Sequence, residues 1–385
     1  MTSLMRVRRL GEHARVGFVE LFFDLVFVFA ITQVSHLLLA HLTPMGALEA
    51  AILLAAVWWV WIDTSWITNW LDPERGPVRL MLFALMAAGL IMSTSLPEAF
   101  ADKGLVFACA FASIQAGRSL FTLWAVRRSA VQKANFQRIS AWALLGAVFW
   151  IGGGLAEGQT RLLIWLVALS LEFTAPAVGY VVPWLGRSAT TDWDVEGAHL
   201  AERVGLFIII CLGESIIITG ATFAELAWTP PVVAAFVSAL ITAIAMWWLF
   251  FNEAHEAASE TFSQAADPGA IARRAYTYCP IIVVAGIVVT AVGDELALGH
   301  PMGSTAIAIA AVLIGGPLLF LLGTSLSILA VWGKTAWPRV WGMAALGLAA
   351  LASPLLTPLA LTMTSTAILV LTAIWESVAG RGRKA

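Results

Sequence analysis

The stretch VGFVELFFDLVFVFAITQVSHLLL, residues 16–39, decides the fold class of this chain. It is mostly apolar and slightly longer than the roughly 20 residues that a helix needs to cross about 30 Å of hydrocarbon. It also carries two carboxylates, Glu20 and Asp24, which lie four residues apart and therefore share one helical face. Since a charge in mid-bilayer costs at least about 2.5–3.5 kcal/mol, we expect both to face a protein interior.

The rest of the chain has the same apolar character. Hydrophobic residues make up 60% of the 385 residues, charged residues only 12%, and the mean hydropathy is +0.87, unlike an ordinary soluble domain. Segments long enough to span a bilayer recur at 16–40, 47–68, 78–97, 104–126, 138–156, 162–183, 199–221, 231–252, 274–293, 304–332, 340–357 and 361–379. We therefore predict an all-α polytopic membrane protein of about twelve transmembrane helices.

The basic residues indicate how these helices are oriented. Positive charge accumulates in the short cytoplasmic loops of membrane proteins. With the N-terminus inside, the twelve-helix arrangement places 19 of the 22 Lys and Arg residues on the cytoplasmic side. Only Lys103 and Arg161 fall in outer loops, and Arg118 lies within the fourth helix. The sequence therefore predicts that both termini are cytoplasmic.

The two halves of the chain show a weak internal repeat. Seven pairs of short matches occur in the same order, with an offset that grows from 188 to 204 residues. The pairs begin at Arg15 and Arg203, Trp58 and Trp247, Asp72 and Asp267, Gly117 and Gly316, Arg138 and Arg339, Leu145 and Leu346, and Leu171 and Trp375. This pattern predicts two parallel six-helix repeats, 1–190 and 191–385, related by a pseudo-two-fold axis along the membrane normal.

Polar residues within the helices are the candidates for chemistry, because lipid would exclude them. The candidates for a transport or ion site are Glu20, Asp24, Thr32, Gln33, Asp63, Glu214 and Ser215. Asp24 and Glu214 lie at comparable depths in repeat-related helices, and we expect both near the repeat axis. Asp63 and Asn252 lie beside tryptophan clusters that are typical of interfacial belts and helix packing. A purely structural role between helices is the alternative for each of them.

Arg118 needs a counter-charge within the membrane. Glu172, near the middle of the sixth helix, is the partner that we predict, as a structural charge pair. One arginine cannot neutralise Asp24, Glu172 and Glu214 together. At least one carboxylate is therefore expected to hold a proton, or to reach water or a bound cation.

Several kinds of site find no support in the sequence. Cys109, Cys211 and Cys279 lie in apolar runs without metal-ligand spacing, so we predict neither a metal site nor a disulfide framework. No HExxH, GxSxG or Walker motif is present, and we predict no cofactor and no catalytic residues. The basic residues follow the predicted membrane topology, which argues against a nucleic-acid partner.

Two stretches resemble the signatures of a known family. Residues 16–39 and the stretch AERVGLFIIICLGESIIITG, residues 201–220, are similar to two signatures of the bacterial low temperature requirement A family. The resemblance extends over essentially the whole chain and implies a bacterial cytoplasmic (inner) membrane. The family's name records a growth phenotype, linked to stress, and not a biochemical activity.

The first helix has a more distant likeness. Its run FFDLVFVFAIT, residues 22–32, resembles the Phe-Ser-Asp signature of endolysosomal and bacterial potassium channels, which are also built from six-helix repeats. Phe23 replaces the serine of that signature, and the second repeat has Gly213-Glu214-Ser215 where a second copy is expected. This likeness implies that Ile31 and its neighbours line a pore.

These features favour a transporter or channel for a small solute or monovalent cation. The alternative is a membrane-embedded enzyme, or a lipid- or stress-related membrane factor without transport activity. The expected partners are the lipid bilayer and a small solute or ion, and the sequence leaves a homo-oligomer open.

Overall fold

The computed structural model describes residues 4–6, 15–193, 195–251 and 267–384. Within them the chain forms helices and no β-strand. The twelve long helices are α1 (Phe18–Ala40), α2 (Pro44–Trp70), α3 (Gly76–Ser95), α4 (Gly104–Ala125), α5 (Ala130–Leu155), α6 (Gly158–Ala177), α7 (Gly197–Glu225), α8 (Pro230–Phe251), α9 (Pro268–Gly299), α10 (Ile307–Trp332), α11 (Trp337–Ala352) and α12 (Pro358–Lys384). Each of the twelve predicted segments falls on one of these helices.

Eleven of these helices are long and apolar enough to cross a membrane. The exception is α11, which has only 16 residues, about 24 Å of helix at 1.5 Å per residue. The chain is therefore an all-α polytopic membrane protein, which confirms the predicted fold class. The arrangement as two parallel repeats stays a prediction.

The chain divides into two compact units. Unit 1 comprises Met1–Arg203 and Phe262–Arg273, and unit 2 comprises Val204–Thr261 and Arg274–Ala385. The division falls within α7, after Arg203, and within α9, after Arg273. The predicted boundary between residues 190 and 191 concerns sequence repeats and not compactness, and it also stays a prediction.

Helix α2 forms the core of unit 1. In an apolar 18-residue stretch of this helix, 72% is buried inside the protein, a larger share than in any other described membrane span. Trp58, Trp59 and Trp61 are each at most 1% exposed, so this tryptophan cluster packs between helices and does not form an interfacial belt. The hydroxyls of Thr64 and Ser65 donate to carbonyls one turn earlier, which satisfies them within the apolar core.

The N-terminal segment is held against the C-terminal end of α2. The backbone N–H of Arg6 donates to the carbonyl of Trp70 at 2.8 Å, and the N–H of Asp72 donates to the carbonyl of Leu4 at 2.9 Å. These bonds bring the Arg6 side chain alongside the start of α1, where it meets Glu20.

Unit 2 contains a closely packed helix pair, α9 and α10. A Cβ added to Gly323 of α10 would lie 2.7 Å from the backbone nitrogen of Val283 in α9, so only glycine permits this approach. Small residues at such contacts are typical of helix packing in membranes. The long predicted segment 304–332 is one helix, with Pro317 inside it.

Candidate functional site: two buried charge clusters

Arg203 brings together the two carboxylates of α1. Its Nη1 lies 2.9 Å from Glu20 Oε1, and its Nη2 lies 2.5 Å from Asp24 Oδ1. Both carboxylates are fully buried. Because Glu20 and Asp24 are one helical turn apart, a single guanidinium fork from α7 reaches both of them.

Other groups complete this arrangement, which we call the paired cluster (Arg6, Glu20, Asp24, His199 and Arg203). Arg6 Nη2 lies 2.9 Å from Glu20 Oε2, and His199 Nε2 lies 3.2 Å from Glu20 Oε1. The Trp61 indole donates to Asp24 Oδ1 at 2.7 Å. Two carboxylates therefore face two guanidinium groups, before any charge on His199 is counted.

A second cluster lies between α2, α4 and α6, and we call it the Glu172 cluster (Asp63, Gln115, Arg118 and Glu172). Arg118 Nη2 lies 3.0 Å from Asp63 Oδ2, and Arg118 Nη1 donates to the Val60 carbonyl at 2.9 Å. The Gln115 side chain accepts a hydrogen bond from Arg118. Its amide nitrogen lies 3.2 Å from Asp63 Oδ2 and 3.4 Å from Glu172 Oε2.

Glu172 is the least compensated member of this cluster. It is 8% exposed, and its Oε2 accepts from the Trp59 indole at 3.1 Å. Its Oε1 is buried without a hydrogen-bond partner among the described residues. A Cβ added to Gly146 of α5 would lie 2.7 Å from that oxygen, so Oε1 packs directly against the α5 backbone.

The observed partner of Arg118 differs from the predicted one. Arg118 forms its ion pair with Asp63, whereas Glu172 joins the same network through Gln115. The reason is packing: the Arg118 side chain crosses to α2, where it also bonds to Val60 and Thr64. No ion pair links Glu172 to a cation in the part of the chain that the structure describes.

The remaining candidates are distributed over both units. Thr32 is buried and Gln33 is half-buried in unit 1, while Glu214 and Ser215 are half-buried in unit 2. The hydroxyls of Thr32 and Ser215 donate to backbone carbonyls of their own helices. Asn252 lies outside the described residues.

Sequence reasoning missed Arg6, Gln115, His199 and Arg203 as members of these clusters. Only Arg203 gave a signal, because it begins the Arg-Val-Gly match between the two halves of the chain. The prediction treated it as part of a cytoplasmic loop, but the structure buries it completely. Arg203 therefore neutralises Asp24, which the sequence had left with Arg118 as its expected partner in competition with Glu172 and Glu214.

Unit 2 has its own buried charges. Arg339 forms a bidentate pair with Glu376, with nitrogen–oxygen distances of 2.7 and 2.8 Å. It also lines a small cavity of about 60 Å³ together with Tyr276 and Thr324. Asp294 of α9 is 7% exposed and forms no ion pair with any described residue.

The charge count determines what each cluster can do. The paired cluster is neutral when its two carboxylates and two guanidinium groups are ionised. The Glu172 cluster has two carboxylates and one guanidinium group. Its net charge is therefore negative when all three are ionised, and one further positive charge would neutralise it. No group of three or more His, Cys, Asp or Glu side chains that could hold a metal ion occurs in the described residues.

Comparisons with known proteins identify the family to which the chain is similar. The family model of the bacterial low temperature requirement A protein matches residues 15–374, which include both resembling stretches. An uncharacterized protein of Rhizobium meliloti (strain 1021) is 40% identical over 377 residues, covering 96% of this chain and 90% of the relative. No solved structure matches the chain significantly.

Proposed function

The chain belongs to the bacterial low temperature requirement A family, and we propose that it is a transporter or channel for a small solute or monovalent cation. The observation that carries this proposal is Glu172, a buried carboxylate in a membrane helix that has no ion-pair partner among the described residues. A charge in such a position is expensive, and in membrane proteins it usually marks a pathway for ions or solutes.

The paired cluster supports the choice of Glu172 over Asp24 as the transport residue. Asp24 and Glu20 have fixed basic partners in Arg203 and Arg6, as expected for groups that hold helices together. The Glu172 cluster instead lacks one counter-charge. A transported cation, or a solute that carries positive charge, would complete it.

The unpaired Asp294 extends the proposal to unit 2. It is a second buried carboxylate in a membrane-spanning helix without an ion pair in the described part of the chain. Two such groups are consistent with several cation-attracting positions along the protein. Glu214 is half-buried and remains a further proposed position.

We also propose the orientation that the basic residues favour, in a bacterial cytoplasmic membrane with both termini inside. In this orientation the N-terminal segment, with Arg6, lies at the cytoplasmic end of α1 and α2. A periplasmic reporter that is active when fused after residue 385 would contradict this orientation.

The test is ion flux through purified protein in liposomes, under separate gradients of Na⁺, K⁺ and H⁺. We expect flux above that of empty liposomes for at least one ion. Glu172→Gln should lower it at least about tenfold, the effect of roughly 1.4 kcal/mol on a barrier. Glu98→Gln, the same change at an exposed carboxylate, is the matched control and should leave flux unchanged.

Two outcomes would contradict the proposal. Flux equal to that of empty liposomes under every gradient would remove transport of these ions and favour the enzyme or membrane-factor alternative. Wild-type flux in Glu172→Gln would show that another residue carries the activity.

A further inference from the structure

The Glu172 cluster offers a site for one positive charge, and its geometry limits which charge fits. The unpartnered oxygen, Oε1 of Glu172, faces the backbone of α5 at Gly146, where even a Cβ would be only 2.7 Å away. A monovalent metal ion needs a shell of several oxygen ligands in place of its water. A proton needs only one oxygen and almost no additional space.

From this fit we propose that Glu172 is a proton-binding site, and that the proton is the ion to which transport is coupled. The assignment of coupling rests on the proposed transport function, but proton binding can be tested without it. In the protonated state Glu172 is neutral, and Arg118 and Asp63 remain as a balanced ion pair. In the ionised state two carboxylates share one guanidinium group.

The groups around Glu172 support this assignment. Asp63 of α2 and Arg118 of α4 are the charged residues in its network, and the phenol of Tyr180 lies on the Arg118 side. On α5, Lys133 is exposed, and Arg138 bonds to Ser188 and to the Leu185 carbonyl.

The basic residue of α6 itself is also engaged elsewhere. Arg161, eleven residues before Glu172, donates to the carbonyls of Ala99 and Ala101. Arg273 donates to the carbonyl of Pro176, four residues after Glu172. Among the described residues, Arg118 is the cation that bonds within the cluster, and it already pairs with Asp63.

The two carboxylates of the cluster differ in burial. Asp63 is half-buried, with its side chain 24% exposed, whereas Glu172 is buried. Gln115 bonds to both carboxylates and holds them in one network. Exchange with solvent is therefore expected on the Asp63 side, with Glu172 as the inner member that retains the proton.

Infrared difference spectroscopy of the purified full-length protein in detergent tests the proposal, since a protonated carboxyl group has its own C=O band, which shifts in D₂O. We expect wild-type protein to show such a band at neutral pH and to lose it when the pH is raised. Glu172→Gln should remove the band, whereas Glu98→Gln should retain it, with both compared in an Asp294→Asn background because Asp294 is a second buried carboxylate without an ion pair among the described residues. No titrating band in the wild type, or an unchanged band in Glu172→Gln, would overturn the proposal.

A second variant keeps the test decisive if Glu172→Gln does not fold. Asp63→Asn frees Arg118 to pair with Glu172, so the band should be lost at neutral pH although Glu172 is still present. A band identical to that of wild-type protein would contradict the proposed sharing of Arg118.

The two proposals fail in different ways. A Glu172-dependent band without any flux would reject transport and keep the proton site. Flux that depends on Glu172, without a band, would support the transport function and contradict proton binding at Glu172.

Discussion

Two clusters of buried charge lie within the same unit, and they differ in one respect. In the paired cluster, two carboxylates face two guanidinium groups, with Arg203 only 2.5 Å from Asp24 and 2.9 Å from Glu20. In the Glu172 cluster, two carboxylates face only Arg118. A missing hydrogen bond does not separate them, since Asp24 Oδ2 also lacks a partner among the described residues. What separates them is the missing counter-charge.

Helix α2 makes the comparison unusually direct. It supplies an indole donor to each cluster from positions two residues apart, Trp61 to Asp24 and Trp59 to Glu172. The Trp61 bond is 2.7 Å long and the Trp59 bond is 3.1 Å long. The two clusters can therefore be compared through matched donors on one helix.

The largest expected effect is the loss of Arg203. Arg203→Met leaves Glu20 and Asp24 buried with Arg6 as the remaining guanidinium group of the cluster, and removing one partner of a buried ion pair costs about 3–5 kcal/mol. We expect little monodisperse protein and a strongly lowered melting temperature in detergent. Arg127→Met is the matched control, because Arg127 is exposed and stacks on Trp124. Equal melting of the two variants would show that the paired cluster is not structural.

Asp24→Asn should have a smaller effect of the same sign. Arg203 keeps Glu20 but loses a charge-assisted hydrogen bond, a change of about 1.5–3 kcal/mol. Thermal melting in detergent measures this loss. Wild-type stability of Asp24→Asn would mean that the ion pair between Arg203 and Asp24 does not stabilise the protein.

The two tryptophans sharpen the comparison at matched positions. Trp61→Phe removes a donor from a charged acceptor and should cost about 1.5–3 kcal/mol, whereas Trp59→Phe removes one from a neutral acceptor and should cost about 0.5–1.5 kcal/mol. Both substitutions delete an indole N–H from a buried side chain, and each also changes a ring contact, with Arg203 at Trp61 and with Phe173 at Trp59. If Trp59→Phe were the less stable variant, the view that Asp24 is the charged acceptor and Glu172 the neutral one would be contradicted.

The smallest expected effect on stability is that of Glu172→Gln. Glutamine resembles the protonated carboxyl group in shape, and the Arg118–Asp63 pair is left intact, so the change should stay within about 1 kcal/mol. The same melting assay applies. A loss of stability as large as that of Asp24→Asn would show that Glu172, like Asp24, holds helices together.

Much of the fold could be predicted from the sequence, because apolar length alone identifies a membrane helix. The first helix was predicted at 16–40 and is found at Phe18–Ala40. The fifth was predicted from residue 138 but begins at Ala130, since its first turns carry Lys133 and Arg138 and hydropathy detects only the apolar part. Helical structure continues where apolar character does not.

The sites were less accessible to sequence reasoning. The rarity of charge in apolar segments located Glu20, Asp24 and Glu172. Their partners depend on how helices pack, since Arg203 meets Glu20 across 183 residues of chain. Gln115 was missed because an uncharged residue gives no signal of this kind. Packing likewise explains why Arg118 forms its ion pair with Asp63 and not with Glu172.

Proton and cation flux per folded protein, compared between Asp24→Asn and Glu172→Gln in liposomes, decides which of the two clusters serves transport. Each variant is first purified to a monodisperse fraction, so that stability does not enter the comparison. We expect Asp24→Asn to retain flux close to that of wild-type protein and Glu172→Gln to lose it. Loss of flux in Asp24→Asn, with wild-type flux in Glu172→Gln, would contradict the account.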